Sequence, residues 1–152
     1  MKPTSEEVAN AIRDAFRGVV LGNGVGLWEG CALDDYEDAN GIAKARSRDE
    51  RVDWRAIPND DLQYCESSLT FADPEGVRFL LPAFMIAQLN DKLPVGIVFT
   101  LTSYYNMKEH YAALSAKQRK AVRLFLLLLR DDPKYEHDRM EIETSLDTDW
   151  KE

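Results

Sequence analysis

The sequence predicts an α+β fold, a mostly helical single domain that carries a small antiparallel sheet. Three observations support this prediction. Apolar residues recur at helical spacing near both ends of the chain, and two β-prone runs flank a turn sequence in its middle. A chain of 152 residues with 45% hydrophobic positions is also long enough for one core. The domain is expected to span residues 1–130, with residues 131–152 as an acidic helix or arm.

The first predicted helix begins at a capping sequence. Residues 4–7, Thr-Ser-Glu-Glu, place a hydroxyl three positions before a carboxylate, which satisfies free backbone N–H groups at a helix start. Apolar residues then recur at helical spacing from Val8 to Phe16, and Gly18 ends the helix. A second short helix is predicted for residues 27–33, followed by a polar helix or loop to about Val52.

Two short β-prone runs predict a hairpin over residues 69–81. The connecting residues 72–76, Ala-Asp-Pro-Glu-Gly, have the composition of a turn. Pro82 then suits the first turn of a buried helix. A third strand is predicted for residues 95–102, which are rich in β-branched and aromatic side chains.

Residues 115–130 form the strongest predicted helix. Ser115 and Gln118 make a second capping box. Apolar residues at every position from 124 to 129 cover all sides of the helix, which favours a place in the core over a surface shared with a partner. The helix also contains basic residues and no acid, so its cations are expected to pair with the acidic tail or complement the helix dipole, a separate anion site being the alternative. These residues are Lys117, Arg119, Lys120, Arg123 and Arg130.

The acidic composition bounds the function. A formal net charge of −8 would repel a phosphate backbone, so no nucleic-acid partner is expected. No segment is apolar over the roughly 18 residues that a membrane-spanning helix needs, and the first residues lack the apolar core of a secretory signal. The chain is therefore expected to be cytoplasmic, with no membrane partner. Cys31 and Cys65 are expected to be reduced thiols, and no cofactor or metal is predicted.

Four glycines crowd residues 19–30, VVLGNGVGLWEG, and glycine-rich loops are typical of phosphate sites. The dinucleotide fingerprint needs a strand before the loop, whereas a helix is predicted here. The Gly-Lys-Ser/Thr ending of a phosphate loop is also missing. The glycines are therefore expected to permit a tight turn between two helices.

Carboxylates alternate with aromatic residues between positions 28 and 64. Such a surface imitates the charge of a nucleic acid and suits a basic protein, with Trp and Tyr as anchors. The acidic run lacks the ligand pattern of a calcium loop. The predicted binding residues are Trp28, Asp34, Asp35, Tyr36, Asp38, Trp54, Asp60, Asp61 and Tyr64.

Several segments together resemble an uncharacterised bacterial family of small acidic single-domain proteins. The most specific is GVRFLLPAFM at residues 76–85, and AFRGV at residues 15–19 and the capped helix after Leu114 add to it. The resemblance covers about residues 6–130 and leaves out the acidic tail. It implies a cytoplasmic bacterial protein without known catalytic residues. By association with secreted-toxin systems, it also implies an immunity role.

The leading hypothesis is a non-enzymatic protein-binding protein, such as an immunity protein that neutralises a basic toxin. The first alternative is a small hydrolase or transferase that uses carboxylates, such as Asp34, Asp35 or Asp38, near the Gly22–Gly30 loop. The second alternative is a structural protein that self-associates, for example as a homodimer, through the leucine-rich end of the last predicted helix.

Overall fold

All regular secondary structure in the computed structural model, which describes residues 2–102 and 105–152, is helical. Helix makes up 67% of the molecule, and the described residues form no strand. The prediction of an α+β fold with an antiparallel sheet is therefore wrong. The α-helices are α1 (Ser5–Ala15), α2 (Leu27–Asp34), α3 (Ala39–Ser47), α4 (Asn59–Tyr64), α5 (Ser68–Phe71), α6 (Pro74–Leu89), α7 (Val98–Thr102), α8 (Ala116–Arg130) and α9 (Arg139–Asp147), and 3₁₀ helices occupy Trp54–Ala56, Tyr105–Ala113 and Pro133–Asp138.

The region of the predicted hairpin, residues 69–81, consists of α5 and the first half of α6. Asp73 is the N-cap of α6, and its carboxylate accepts a hydrogen bond of 2.8 Å from the N–H of Gly76. Pro74 fills the first helical position, where a missing N–H costs nothing. The apolar run that follows is buried almost all round. A continuous apolar run fits a central helix as well as a buried strand, and here it forms the helix.

Pro82 lies inside α6 and not at the start of a new helix. The third predicted strand, residues 95–102, contains α7 instead. Gly96 adopts a φ of 80°, which favours glycine. The carboxamide of Gln88 lies 2.6 Å from the place that a Cβ at this position would take. Because Gln88 also accepts a hydrogen bond of 2.8 Å from the N–H of Ile97, this segment reverses direction against α6.

Both predicted capping sequences are present in the structure. The side chain of Thr4 accepts from the N–H of Glu7 at 3.1 Å, and Ser115 and Gln118 form the reciprocal pair at the start of α8. α6 lies at the centre of the core and packs against α1, α4 and α5, while α8 packs between α1 and α9. Every apolar residue from 124 to 129 is buried or packs partly buried against the core, so the core interpretation of α8 is confirmed.

The acidic tail contains α9 and is anchored by apolar side chains. Ile142, Leu146 and Trp150 are buried in the same hydrophobic core as α6 and α8. The indole N–H of Trp150 donates a hydrogen bond of 2.9 Å to the carbonyl of Leu101. No helix among residues 2–102 and 105–152 combines the length and apolar character needed to cross a lipid bilayer.

Candidate protein-binding face

The start of α2, next to the glycine-rich segment, is occupied by the carboxylate of Asp49. One oxygen lies 2.6 Å from the backbone N of Trp28 and the other lies 3.3 Å from that of Glu29. A helix start attracts a phosphate because its first N–H groups lack partners. Here Asp49 supplies those partners. A Cβ at Gly26 would lie 2.5 Å from this carboxylate, so glycine is needed there to admit the aspartate.

The backbone polarity of the glycine-rich loop is opposite to that of a phosphate cradle. Such a cradle points N–H groups at an anion, whereas this loop points carbonyls at two arginines. Arg51 donates to the carbonyl of Gly22 at 3.0 Å and to that of Gly24 at 2.8 Å. Arg46 donates to the carbonyl of Asn23 at 2.9 Å. The segment is therefore a turn fixed by cations, with no place for a phosphate among these contacts.

The loop also packs closely on the start of α6. A Cβ at Gly76 would lie 2.1 Å from the carbonyl oxygen of Val25. The carboxylate of Asp73, which caps α6, accepts a second hydrogen bond of 3.0 Å from the N–H of Val25. Two glycine-dependent approaches, at Gly26 and Gly76, thus place α2 relative to α6.

Trp28 lies on the outer side of α2 between a cation and a second aromatic ring. The guanidinium of Arg48 lies 3.7 Å from the centre of the indole, and the ring of Tyr64 lies 5.7 Å away. Trp28 and Tyr64 together form an aromatic ridge, and two shallow grooves of about 220 Å³ each lie beside it. Asp35 borders one groove and Asp61 borders the other. This arrangement presents an aromatic ridge flanked by carboxylates.

Tyr36 projects from the turn between α2 and α3. Its residue is 96% exposed, and its φ of 55° lies in the left-handed region that normally favours glycine. The N–H of Glu37 closes the end of α2 by donating to the carbonyl of Ala32 at 3.0 Å. Asp38 then begins α3, and its carboxylate accepts from the N–H of Gly41 at 2.8 Å. A bulky aromatic residue therefore occupies a position where glycine would be less strained.

Most of the predicted binding residues lie around this ridge, and one lies elsewhere. Asp34 accepts a hydrogen bond of 2.7 Å from the hydroxyl of Ser67, and Asp60 is exposed in the first turn of α4. Trp54 is only 5% exposed, and its indole N–H donates to the carbonyl of Phe16 at 2.9 Å. Trp54 is thus a core residue, and the face consists of the other eight predicted residues together with Glu37, which borders the same groove as Asp35. We define the acidic face as Trp28, Asp34, Asp35, Tyr36, Glu37, Asp38, Asp60, Asp61 and Tyr64.

The carboxylates of the acidic face form no ion pair within the part of the chain that the structure describes. Carboxylates elsewhere do: Asp14 lies 2.6 Å from Lys117, and Asp91 lies 2.7 Å from Lys134. Hydrogen bonding and the charge of these lysines lower the pKa of both aspartates. The α3 side of one groove carries Lys44 and Arg48, so its negative charge is concentrated on the α2 side.

Sequence reasoning missed the two residues that organise this face, Arg48 and Asp49. Neither belongs to a motif, and both meet α2 only through the fold. Burial raises the pKa of the Asp49 carboxyl, which is the kind of perturbation that active sites show. Its oxygens, however, are committed to the start of α2. Among residues 2–102 and 105–152, no cluster of His, Cys, Asp and Glu side chains is arranged to hold a metal ion.

A model of a protein family of unknown function, DUF6714, matches residues 4–152. The match continues through the acidic tail, so the shared region extends beyond the limit near Arg130 that the resemblance implied. No curated protein and no solved structure matches the chain.

Proposed function

The chain belongs to the DUF6714 family, whose function is unknown, and we propose that it is a non-enzymatic protein that binds a basic partner protein through the acidic face. The observation that carries the proposal is Tyr36, an aromatic residue that is almost fully exposed on a left-handed backbone. Strain of this kind persists where the surrounding structure enforces it and is concentrated at functional positions. A contact made by the ring gives this residue a reason to be there.

Aromatic side chains supply most of the binding energy in many protein interfaces because they bury a large area with few rotatable bonds. Tyr36 and Tyr64 are 96% and 73% exposed, so both rings are available to a partner. Trp28 is partly buried beside Tyr64 and gives the ridge a rigid base. The face thus offers two exposed anchors next to a partly buried one.

Free carboxylates add electrostatic attraction for a basic partner. Because those of the acidic face have no ion pair within the described ranges, a partner cation has no internal cation to displace. Complementary charge mainly accelerates association and selects the partner, while buried anchors slow dissociation. Binding should therefore weaken with salt chiefly through the association rate.

A basic toxin is the specific partner that we propose, with this chain as its immunity protein in a bacterial cytoplasm. This part of the proposal is supported by the sequence resemblance and by the charge of −8. The self-association alternative is less well supported, because the leucines of α8 pack into the core. The enzyme alternative is also less well supported, because Asp35 and Asp38 are exposed and Asp34 is bonded to Ser67.

The test compares two variants with the same loss of charge. Asp35→Asn/Asp60→Asn/Asp61→Asn removes three of the six negative charges of the acidic face, and Glu136→Gln/Glu141→Gln/Glu143→Gln removes three from exposed residues in and before α9. Proteins captured from the native host are compared by quantitative mass spectrometry, and the association rate of the selected partner is measured at several salt concentrations. We expect one basic protein to bind the wild type and the α9 control but not the face variant. A partner lost equally in both variants, or an association rate indifferent to salt, would contradict the proposal.

A further inference from the structure

A groove lined by basic side chains lies between α8 and the end of the tail. It has a volume of about 260 Å³. Four basic side chains and one acidic side chain border it. These side chains give the groove a charge of +3, although the protein as a whole has a net charge of −8. We define the basic groove as Arg119, Lys120, Arg123, Trp150, Lys151 and Glu152.

The two arginines of the basic groove hold the tail through backbone carbonyls. Arg123 donates to the carbonyl of Leu146 at 2.8 Å and to that of Trp150 at 2.7 Å. Arg119 donates to the carbonyl of Asp149 and lies 4.9 Å over the Trp150 ring. The sequence predicted that these cations would pair with the acidic tail or complement the helix dipole, with a separate anion site as the alternative. Because they meet neutral carbonyls, their orientation is fixed while their positive charge remains uncompensated.

The cations of the basic groove form no ion pair with any residue that the structure describes, whereas neighbouring cations do. Lys117 pairs with Asp14, Lys108 pairs with Asp149 and Arg130 pairs with Asp131. Glu152 borders the groove without reaching any of its cations. Like charges at adjacent turns of one helix repel each other, and an anion between them would remove that repulsion.

Two further features favour an anion with an organic part. Ala116, the first residue of α8, lines the groove, so the positive end of the helix dipole points toward it. The basic side chains that line the groove carry aliphatic stems, which offer apolar surface beside the charges, while Trp150 is only 2% exposed and lies beneath Arg119. A volume of about 260 Å³ suits a small molecule rather than a folded partner.

We propose that the basic groove binds a small organic anion through one or more carboxylate or phosphate groups. Arg119 and Arg123 are already held in place by the tail, so they contribute preorganised charge. Lys120 and Lys151 are exposed at the border of the groove, where they are free to reach the anion. The site is independent of the proposed function, because the acidic face lies on α2, α3 and α4.

The test titrates citrate, inorganic phosphate and phenyl phosphate into ¹⁵N-labelled protein at constant ionic strength, with chloride as the reference. Citrate and phosphate distinguish a carboxylate from a phosphate ligand, and phenyl phosphate tests the apolar floor. The backbone N–H resonances of Lys120, Trp150 and Lys151 report on the groove, because these residues border the site. We expect saturable shifts confined to α8 and residues 149–152, with tighter binding of phenyl phosphate than of inorganic phosphate.

The decisive variant is Lys120→Ala/Lys151→Ala, which removes two cations without touching the bonds that hold the tail. Lys2→Ala/Lys92→Ala is the matched control, since both of its lysines are exposed and border neither the basic groove nor the grooves of the acidic face. We expect the first variant to weaken anion binding at least tenfold and the control to leave it unchanged. Equal weakening in both, shifts spread over the whole surface, or binding of a tetraglutamate peptide without binding of any small anion would overturn the proposal. Binding of the basic partner should be the same in both variants, so the two proposals fail separately.

Discussion

The carboxylate of Asp49 lies 2.6 Å from the backbone N–H of Trp28 and completes the start of α2 from outside that helix. A second bond, of 3.3 Å, joins it to the N–H of Glu29. The neighbouring Arg48 covers the indole of Trp28. One short segment, residues 48–49, therefore both caps the helix that carries the aromatic ridge and orients the ridge itself.

Replacing Asp49 by Ala should destabilise the fold by about 1–2 kcal/mol, the usual cost of losing a helix cap. Asp49→Asn retains one acceptor oxygen and should cost less. Urea unfolding at neutral pH measures both changes. Asp35→Ala is the control, because Asp35 is exposed and its side chain caps no helix. An Asp49→Ala variant as stable as Asp35→Ala would show that the cap contributes nothing.

Gly76 should not tolerate a side chain. The Cβ of an alanine would lie 2.1 Å from the carbonyl oxygen of Val25, and neither backbone can move without separating the glycine-rich loop from α6. We expect Gly76→Ala to cost about 3 kcal/mol or more, at the upper end of overpacking effects, although the same change in an exposed helix would stabilise by about 1 kcal/mol.

Gly18→Ala separates this clash from backbone strain. Gly18 has a φ of 75°, and no atom lies within 4 Å of the position that a Cβ would take. The left-handed backbone is therefore the only source of strain for a side chain at this position. Its cost should be about 1–2 kcal/mol. Chemical denaturation of both variants gives the comparison, and equal losses would contradict the close approach at Gly76.

The local signals in the sequence predicted the helix starts well. The side chains of Thr4 and Ser115 accept hydrogen bonds from backbone N–H groups three residues later, so no distant contact was needed to recognise these caps. Residues 72–76 were misread because Asp-Pro-Glu-Gly serves equally as a turn and as the capped start of a helix. The contact between Gly76 and Val25 favours the helix, and it joins residues that are far apart in sequence.

The candidate face could be predicted only in part, for a similar reason. The acidic run at residues 34–38 marks an exposed turn, and the structure places it there. Composition does not distinguish Trp28, which lies in the ridge, from Trp54, whose N–H bonds to the carbonyl of Phe16 in the core. Arg48, at the end of α3, contacts the indole of Trp28 in α2, and no local spacing pattern in the sequence predicts this contact.

Tyr36→Gly should stabilise the fold while it weakens binding. Glycine adopts a φ of 55° without the steric cost that a side chain carries, so the gain should be about 1 kcal/mol. The loss of the ring removes one proposed anchor, and the dissociation rate of the partner should rise. Thermal unfolding and surface-based kinetics measure the two effects on one preparation.

Tyr64→Ala is the companion variant, because it removes an anchor whose backbone is helical. It should weaken binding without the gain in stability. A Tyr36→Gly protein that is more stable and binds normally would remove the functional explanation for the strained tyrosine. One that is no more stable would show that the turn accommodates tyrosine without strain.

The ion pair between Asp14 and Lys117, at 2.6 Å, joins α1 to α8 and should make stability depend on pH. The hydrogen bond and charge of Lys117 lower the pKa of Asp14 in the folded protein. In the unfolded chain the pKa should be about 3.9. Asp14 therefore binds a proton less readily in the folded protein than in the unfolded chain. The ion pair contributes its full stability above the unfolded pKa, and this contribution is lost as pH falls through the folded pKa.

Asp14→Asn should therefore be less stable than the wild type at pH 7, and the difference should shrink on acidification below about pH 4. Urea unfolding from pH 7 down to pH 2.5 at constant ionic strength gives the two curves. Asp60→Asn serves as the control, since Asp60 is exposed and forms no ion pair within the described part of the chain. Its curve gives the effect of removing an exposed carboxylate that pairs with no lysine that the structure describes. If the Asp14→Asn curve instead ran parallel to the wild type at every pH, the link between α1 and α8 would not depend on the charge of this carboxylate.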